Sequence, residues 1–314
     1  MTGGVLETVR HTLRRILPSP VVHLLRHMRR VWHRWGYRVR RLRGAPPVGA
    51  TEVAQALRSL GIRPGDDVLV HSSLRALGVV QGGADAVVRG LAEVIGAGGT
   101  LLVPAYPLSS TMLEHLQAGG IALDCRHSPS QMGKISETVR LRPGSRRSLH
   151  PTHSVAAHGP RADAYCAGHE ASVTPCGPGS PFIQLIRNQG WIVALGSGIG
   201  KITSYHVLED AVPNFPLPVY LEQEFVARVI DAEGIEHQIS VKCHNPAVSR
   251  RRIDNARDIE ALFERLLAAR DVLHTVDLGL GVVSAMRADR LQHALEQLLR
   301  EGVTIYGALP ATAV

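Results

Sequence analysis

A histidine and a glutamate three residues apart form the pair in this sequence best suited to proton transfer. His206 and Glu209 stand in the segment TSYHVLED at 203–210, and residues i and i+3 share one face of a helix. A carboxylate beside an imidazole fixes its tautomer and raises its basicity, as removing a proton from an ammonium group requires. The spacing alone also fits an ordinary ion pair on a surface helix, which is a common arrangement.

A second polar cluster follows a short β-rich run. It contains His71, Ser72, Ser73, Leu74 and Arg75, and then Gly82 and Gly83 where a helix is predicted to begin. Backbone amides, hydroxyl groups, one arginine and a helix N-terminus suit phosphate groups or an extended pantetheine arm. The alternative is a plain strand end followed by a helix cap.

Histidines and hydroxyl groups are also dense around Pro151, in the segment RRSLHPTHSVAAHG at 146–159. This pattern predicts a loop that lines a site. A metal site here would use His150, His153 and His158, but no fourth ligand stands at a characteristic spacing. We therefore predict no metal.

The glycine-rich run at 196–200 (GSGIG) is not a nucleotide-binding motif. A dinucleotide fingerprint needs a glycine where Lys201 stands, and a phosphate loop needs Ser or Thr where Ile202 stands. We predict a tight connection from a strand to a helix, a place where α/β folds often carry active-site residues. No G-x-S-x-G elbow occurs in the chain, which disfavours a serine hydrolase.

Local patterns predict the elements that must position these residues. Strands are expected at 66–71, 100–104 and 191–195, with a helix from Gly82 and Gly83 to about Ile95 between the first two, which makes a parallel βαβ unit. A hairpin is expected at 219–241, and helices near 51–60, 256–269 and 288–301. The fold class is therefore α/β, a mixed β-sheet flanked by helices.

The net charge of +8 is not spread over the chain. Residues 1–44 hold eleven of the 35 Lys and Arg but one of the 27 Asp and Glu, so the rest carries 24 cationic and 26 acidic residues. A nucleic-acid-binding domain would spread basic charge over a folded face, so no nucleic-acid partner is expected. Four cysteines without a C-x-x-C pair indicate reduced thiols, and no apolar run approaches ~18 residues, which favours a cytoplasmic protein.

The basic charge belongs to an N-terminal extension, residues 1–49, that precedes a domain at 50–314. Within residues 1–45, seven apolar residues recur every three or four positions among arginines: Val21, Leu25, Met28, Trp32, Trp35, Val39 and Leu42. This pattern predicts an amphipathic helix. Two interpretations are equally open: peripheral contact with an anionic membrane at the inner membrane face, or docking on the domain or on a sister subunit in a homo-oligomer.

Taken together, these segments resemble the aminoglycoside 3-N-acetyltransferase family, also called the antibiotic N-acetyltransferase family. The matching motifs, in order, are HSSLRALG (71–78), GGADAV (82–87), GAGGTLLVPAY (96–106), SPSQMGKISE (128–137), RRSLHPTHSVAAHG (146–159), GSPF (179–182) and TSYHVLE (203–209). Each motif is weak alone, but seven in register over roughly residues 50–215 form a specific set.

The resemblance implies an α/β fold, acetyl-coenzyme A as cosubstrate, and direct transfer to an amine without a metal. By matching motif, His206 is the general base, Glu209 orients it, and Thr203 lies near the reacting centre. His71, Ser72, Ser73, Leu74, Arg75, Gly82 and Gly83 are the expected cofactor-binding residues. The expected substrate-binding residues are Arg147, Ser148, His150 and Ser204.

The acceptor stays open at this point. The family's acceptor is the 3-amine of a 2-deoxystreptamine ring in an aminoglycoside. The basic extension and the nearly neutral domain also fit an amino sugar, such as a nucleotide-linked one, in cell-surface polysaccharide synthesis. A further alternative is a non-catalytic adaptor at a membrane surface, against which the intact His206 and Glu209 argue.

Overall fold

A computed structural model describes residues 46–309 of the chain. From Pro47 onward the described residues form one compact unit. The predicted amphipathic helix within residues 1–45 lies outside the described residues, and the boundary at 49/50 stays a prediction. Between residues 46 and 309, no helix combines the length and the apolar character needed to cross a membrane.

The helices and strands alternate along most of the described chain. The helices are α1 Ala50–Ser59, α2 Gly83–Ile95, α3 Met112–Gln117, α4 Lys134–Arg140, α5 Ala162–Cys166, α6 Pro181–Arg187, α7 His206–Ala211, α8 Pro246–Ser249, α9 Arg257–Ala269 and α10 Ala288–Arg300. The strands are β1 Asp67–Ser72, β2 Thr100–Pro104, β3 Ile121–Asp124, β4 Arg146–Arg147, β5 Val155–His158, β6 Trp191–Leu195, β7 Tyr220–Ile230, β8 Glu236–His244, β9 His274–Leu278, β10 Gly281–Arg287, β11 Val303–Thr304 and β12 Gly307–Ala308.

Seven of these strands form the main sheet of the described chain, in the order β4-β5-β2-β1-β6-β10-β9. The strand β1 pairs in parallel with both β2 and β6, whereas β5 and β10 run antiparallel to their neighbours. The predicted mixed sheet and its parallel βαβ unit are therefore confirmed. The predicted hairpin is confirmed as well: β7 and β8 pair around a turn at 231–235 and join β3 in a separate sheet.

The main sheet is buried on both faces by helices. Along β1, Val68 packs in one core cluster with Leu91 of α2, and the next residue, Leu69, packs in another with Phe263 of α9. This alternation follows from the two-residue period of a strand. A strand buried on both faces is apolar over most of its length, as β1 is from Val68 to Val70. The sheet is thus held rigidly, and its strand ends can position a site.

Candidate functional site

A cleft of about 850 Å³ opens where the three parallel strands β1, β2 and β6 end. Ligands of α/β proteins gather at such carboxyl ends. From the end of β1 and the loop that follows it, the lining residues are His71, Ser72, Ser73, Leu74, Arg75, Gly78 and Val80, followed by Gly83 of α2. From the other elements they are Pro104, Tyr106, Gln131, Met132, Gly133, Lys134, Ile135, Ser136, Ser197, Lys201 and Thr203. Four separate stretches of sequence thus share one cavity.

The structure brings the predicted cofactor-binding residues together in this cleft, with one exception. Gly82 is the N-cap of α2, at φ +75°, and it is not among the lining residues. Gly196 allows β6 to end close to β1: its φ is +72°, and a Cβ there would lie 2.8 Å from the Ser73 carbonyl oxygen. Only glycine fits both requirements, so the predicted tight connection after β6 has a steric reason.

The proton-transfer pair forms as predicted from its spacing. The chain leaves β6 through two short 3₁₀ turns, Ile199–Lys201 and Thr203–Tyr205, and α7 begins at His206. One turn of this helix brings His206 Nδ1 to 2.9 Å from Glu209 Oε2. Both side chains are buried.

Glu209 is ionised and receives more than one donor. Burial alone would raise its pKa, but the charge and the hydrogen bond of His206, with a weaker contribution from His244, hold the pKa well below its usual range. Tyr306 donates to the other carboxylate oxygen over 2.9 Å. A carboxylate only accepts hydrogen bonds, so His206 Nδ1 donates its proton to Glu209, and Nε2 is the ring nitrogen left to face a substrate.

Thr203 connects the cleft to this pair. Its Oγ1 lies 2.6 Å from the Tyr106 hydroxyl, and both residues line the cleft. The next residue, Ser204, is buried, and its Oγ has no hydrogen-bond partner among residues 46–309. Thr203 therefore lies at the edge of the cleft and one turn before His206, whereas Ser204 points into the protein. The catalytic role of Thr203 and the substrate-binding role of Ser204 stay predictions.

The structure does not bring Arg147, Ser148 and His150 into the cleft. The Arg147 guanidinium donates to the backbone carbonyls of Ser128 and Ala105, and burial lowers its pKa to about 10. Ser148 and His150 have no exposed surface. As substrate-binding residues they remain predictions, but their contacts favour a supporting role.

Ser148 and His150 take part in a hydrogen-bonded scaffold within the segment 146–159. Ser148 Oγ accepts from the Val155 amide and lies 2.9 Å from His169 Nδ1. His150 Nδ1 accepts from the amides of Thr152 and His153, which places the ring proton on Nε2. The metal site considered for His150, His153 and His158 does not form, since in the described part of the chain only His206, Glu209 and His244 approach as a possible ligand group.

Buried histidines should make the protein sensitive to acid. Burial lowers the pKa of His71, His169 and His244 to about 4 each. An unfolded histidine titrates near ~6.5, so between pH 6.5 and 4 the unfolded chain binds protons that the native state does not. Stability therefore falls as pH drops through this window, by about 2 kcal/mol for each histidine between pH 7 and 5.

Urea unfolding at the two pH values measures this loss. We expect His169→Gln to reduce the difference in unfolding free energy between pH 7 and pH 5 by about 2 kcal/mol, since one protonation site is removed. The same substitution at the exposed His293 serves as the control and should leave the difference unchanged. An identical pH dependence for the native protein and His169→Gln would contradict the assignment.

Sequence reasoning missed several residues of the site. Tyr106 and Lys134 lie within motifs that the sequence singles out, and their position after β2 and at the start of α4 was the available signal. His244 and Tyr306 had no such signal. They reach Glu209 from the end of β8 and from the segment after α10, and no local pattern marks either residue.

Known proteins share this fold and much of its sequence. The sequence profile of the aminoglycoside 3-N-acetyltransferase family matches residues 69–300. Aminoglycoside N(3)-acetyltransferase VII of Streptomyces paromomycinus is 33% identical over 178 residues, which cover 52% of this chain. The chain spans 60% of the length of this curated relative.

Two solved structures extend the similarity to most of the chain. The crystal structure of aminoglycoside acetyltransferase AAC(3)-Xa superposes with a TM-score of 0.69 and 25% identity, covering 83% of this chain and 95% of that one. The structure of AAC-VIa bound to sisomicin superposes with a TM-score of 0.68 and 26% identity, covering 82% of this chain and 99% of that one. The α/β class predicted from the sequence is confirmed, and the match over residues 69–300 shows that the chain belongs to the aminoglycoside 3-N-acetyltransferase family.

Proposed function

We propose that this chain transfers the acetyl group of acetyl-coenzyme A to an amino group of an aminoglycoside-like acceptor, with His206 as the general base. Membership of the family and the names of its relatives support the reaction class. The sisomicin bound to AAC-VIa supports an aminoglycoside amine as the acceptor. The observation that carries the proposal is the buried His206–Glu209 pair one helical turn beyond Thr203, which lines the cleft.

In this mechanism Glu209 holds the Nδ1 proton of His206 and leaves the Nε2 lone pair to accept a proton. The acceptor ammonium gives up that proton, and its nitrogen attacks the thioester carbonyl carbon. The tetrahedral intermediate loses a second N–H proton and collapses to the amide with release of the coenzyme A thiolate. One of the two protons neutralises the thiolate and the other leaves to solvent. Direct transfer of this kind needs no acyl-enzyme.

The intermediate's oxyanion needs hydrogen-bond donors. Tyr106 and Thr203 share one hydrogen bond, so one of their two hydroxyl protons is left for a further acceptor. Leu74 lines the same cleft, and its backbone amide is the alternative donor, since the Ser73 amide already donates to the Leu195 carbonyl.

The charge of the cleft suits coenzyme A. Every charged residue of its lining is a cation: Arg75, Lys134 and Lys201. Gly83 adds the N-terminus of α2, a helix of 13 residues whose first amides and dipole favour phosphate. We assign this side of the cleft to the cosubstrate, and the acceptor to the side of His206.

Removing the Lys134 charge should weaken cosubstrate binding. We expect Lys134→Gln to raise the KM for acetyl-coenzyme A on the order of fivefold, with kcat little changed, because an exposed ion pair contributes about 1 kcal/mol. Lys242→Gln is the matched control, since Lys242 lies on β8 and does not line the cleft. Equal KM values for the two variants would remove Lys134 from the cosubstrate site.

Acceptor screening tests the proposed function itself. Purified protein is incubated with acetyl-coenzyme A and either aminoglycosides, sisomicin included, or nucleotide-linked amino sugars, and thiol release is followed. Turnover with aminoglycosides supports the proposal, and turnover confined to the amino sugars moves the acceptor to that class. Silence in both panels, together with no coenzyme A binding, would favour the non-catalytic adaptor.

The N-terminal extension carries a separate proposal. Residues 1–45 hold the arginines and apolar stripe of a segment that contacts an anionic membrane peripherally. Binding of the full chain to anionic vesicles, compared with a chain lacking residues 1–45, is its test.

A further inference from the structure

The buried group His206, Glu209 and His244 has the composition of a zinc site. Its three ligand atoms lie within 4.8 Å of one another: one nitrogen from each imidazole and one carboxylate oxygen. Two histidines and one glutamate are a set that Zn²⁺ binds in proteins while keeping its fourth position open. Together, the donor set and its compactness point to a cation of that chemistry.

The distances fit a tetrahedral ion. Bonds of about 2.0–2.1 Å to nitrogen and oxygen separate neighbouring ligand atoms by roughly 3.3 Å. Glu209 Oε2 lies 2.9 Å from His206 Nδ1 and 3.4 Å from His244 Nε2. Small side-chain shifts would therefore create the site, with Tyr306 still holding the other oxygen of Glu209 as a supporting partner.

His244 gives an independent reason to expect a ligand. It is 6% exposed, and neither of its ring nitrogens has a hydrogen-bond partner among residues 46–309. Its Nε2 lies close to Glu209 without good hydrogen-bond geometry. A buried polar group without a partner is destabilising, and native structures usually satisfy it with protein, water or an ion.

We infer that His206, Glu209 and His244 bind Zn²⁺, and that the bound ion switches the transferase off. Coordination by His206 Nδ1 displaces the proton that Glu209 holds there. A neutral ring then carries its proton on Nε2, and the lone pair that serves as the base is lost. The ion therefore competes with the proton on Nδ1. The inhibition rests on the proposed function, whereas Zn²⁺ binding to these three residues does not.

Metal binding to the protein alone tests the site. In competition with a chromophoric chelator, we expect the native chain to bind one Zn²⁺ and His244→Gln to bind it at least about tenfold more weakly. His237→Gln is the matched control, because it makes the same change in the same strand on a half-exposed histidine. Equal Zn²⁺ affinity for the native chain and His244→Gln overturns the site.

A measurement on the native chain covers the case in which His244→Gln does not fold. We expect Zn²⁺ to shift the ¹⁵N resonances of His206 Nδ1 and His244 Nε2, and to move the His206 proton to Nε2. Unchanged resonances of these rings at saturating Zn²⁺ would overturn the site as well.

Inhibition is measured on acetylated product by mass spectrometry, because free thiol binds zinc. We expect the half-inhibiting Zn²⁺ concentration to rise at least about tenfold in His244→Gln relative to that variant's own activity. Zinc binding in a chain that acetylates nothing would leave the site standing and remove the proposed function. Activity that persists with Zn²⁺ bound would overturn the inhibition.

Discussion

Replacing His206 by alanine is expected to lower kcat by about 10²–10⁴-fold, the usual contribution of a positioned general base. The KM for acetyl-coenzyme A should change little, because the residues that we propose to bind the cosubstrate lie on the β1 side of the cleft. Steady-state kinetics with a fixed acceptor measure both values. Full turnover by this variant would show that another group takes the proton.

The pH profile separates a lost base from general damage to the site. Without His206, only the fraction of acceptor that is already deprotonated can react, and this fraction grows with pH. The residual rate of His206→Ala should therefore rise with pH beyond the point where the native rate levels off. His274→Ala, at a half-exposed position on β9, is the control and should keep the native profile.

Glu209→Gln is expected to lower kcat by on the order of 10²-fold or more. An amide can donate a hydrogen bond to Nδ1, which favours the tautomer whose proton lies on Nε2 and leaves no base. Replacing the aspartate beside the histidine of a serine protease triad by asparagine lowers kcat on the order of 10⁴-fold for this reason. Steady-state kinetics of the purified variant measure kcat, and we expect its affinity for acetyl-coenzyme A to be unchanged.

Asp210→Asn provides the matched control for Glu209→Gln. Asp210 is the neighbouring, half-buried carboxyl, whose pKa desolvation raises to about 6, and it accepts from the Tyr220 hydroxyl and the Cys176 amide. We expect a kcat within about tenfold of the native value, since this carboxyl does not touch His206. Equal losses in both variants would indicate a general effect of buried charge and would contradict the orienting role of Glu209.

The pKa of Glu209 determines how this residue affects the stability of the fold in acid. The pKa of Glu209 is lower in the folded than in the unfolded chain, so its ionisation stabilises the fold above the unfolded value of about 4.3. This contribution is lost as pH falls below that value. The buried histidines act earlier, between pH 6.5 and 4, and so dominate the first part of the acid transition.

Local patterns predicted the central strands well. β2 and β6 have the predicted ends, Thr100–Pro104 and Trp191–Leu195, because a short apolar run that follows a glycine leaves little freedom in where a buried strand starts. The strands not predicted are β3, β4, β5, β9, β10, β11 and β12. Five of them have only two to four residues, too few to show a periodicity of their own, whereas β9 and β10 are longer strands of the main sheet that the sequence reasoning overlooked.

The difference between local patterns and contacts with distant residues also decides which parts of the site were predictable. His206 and Glu209 were predictable because their contact is local, one turn of α7. Ser148 and His150 were predicted to bind substrate, and that role stays a prediction. The structure buries both, and they hydrogen-bond to the backbone amides of Val155 and His153. Density of polar residues in a sequence does not distinguish a scaffold from a lining.

The Tyr306 bond to Glu209 also says something about the order in which the enzyme is made. Donor and acceptor are separated by 97 residues, and β7 to β10 lie between them. Contacts of such long separation form only after a large loop has been closed, and a domain generally folds as a unit. A polypeptide still short of residue 306 therefore cannot complete the surroundings of Glu209, however much of its main sheet has already been synthesised.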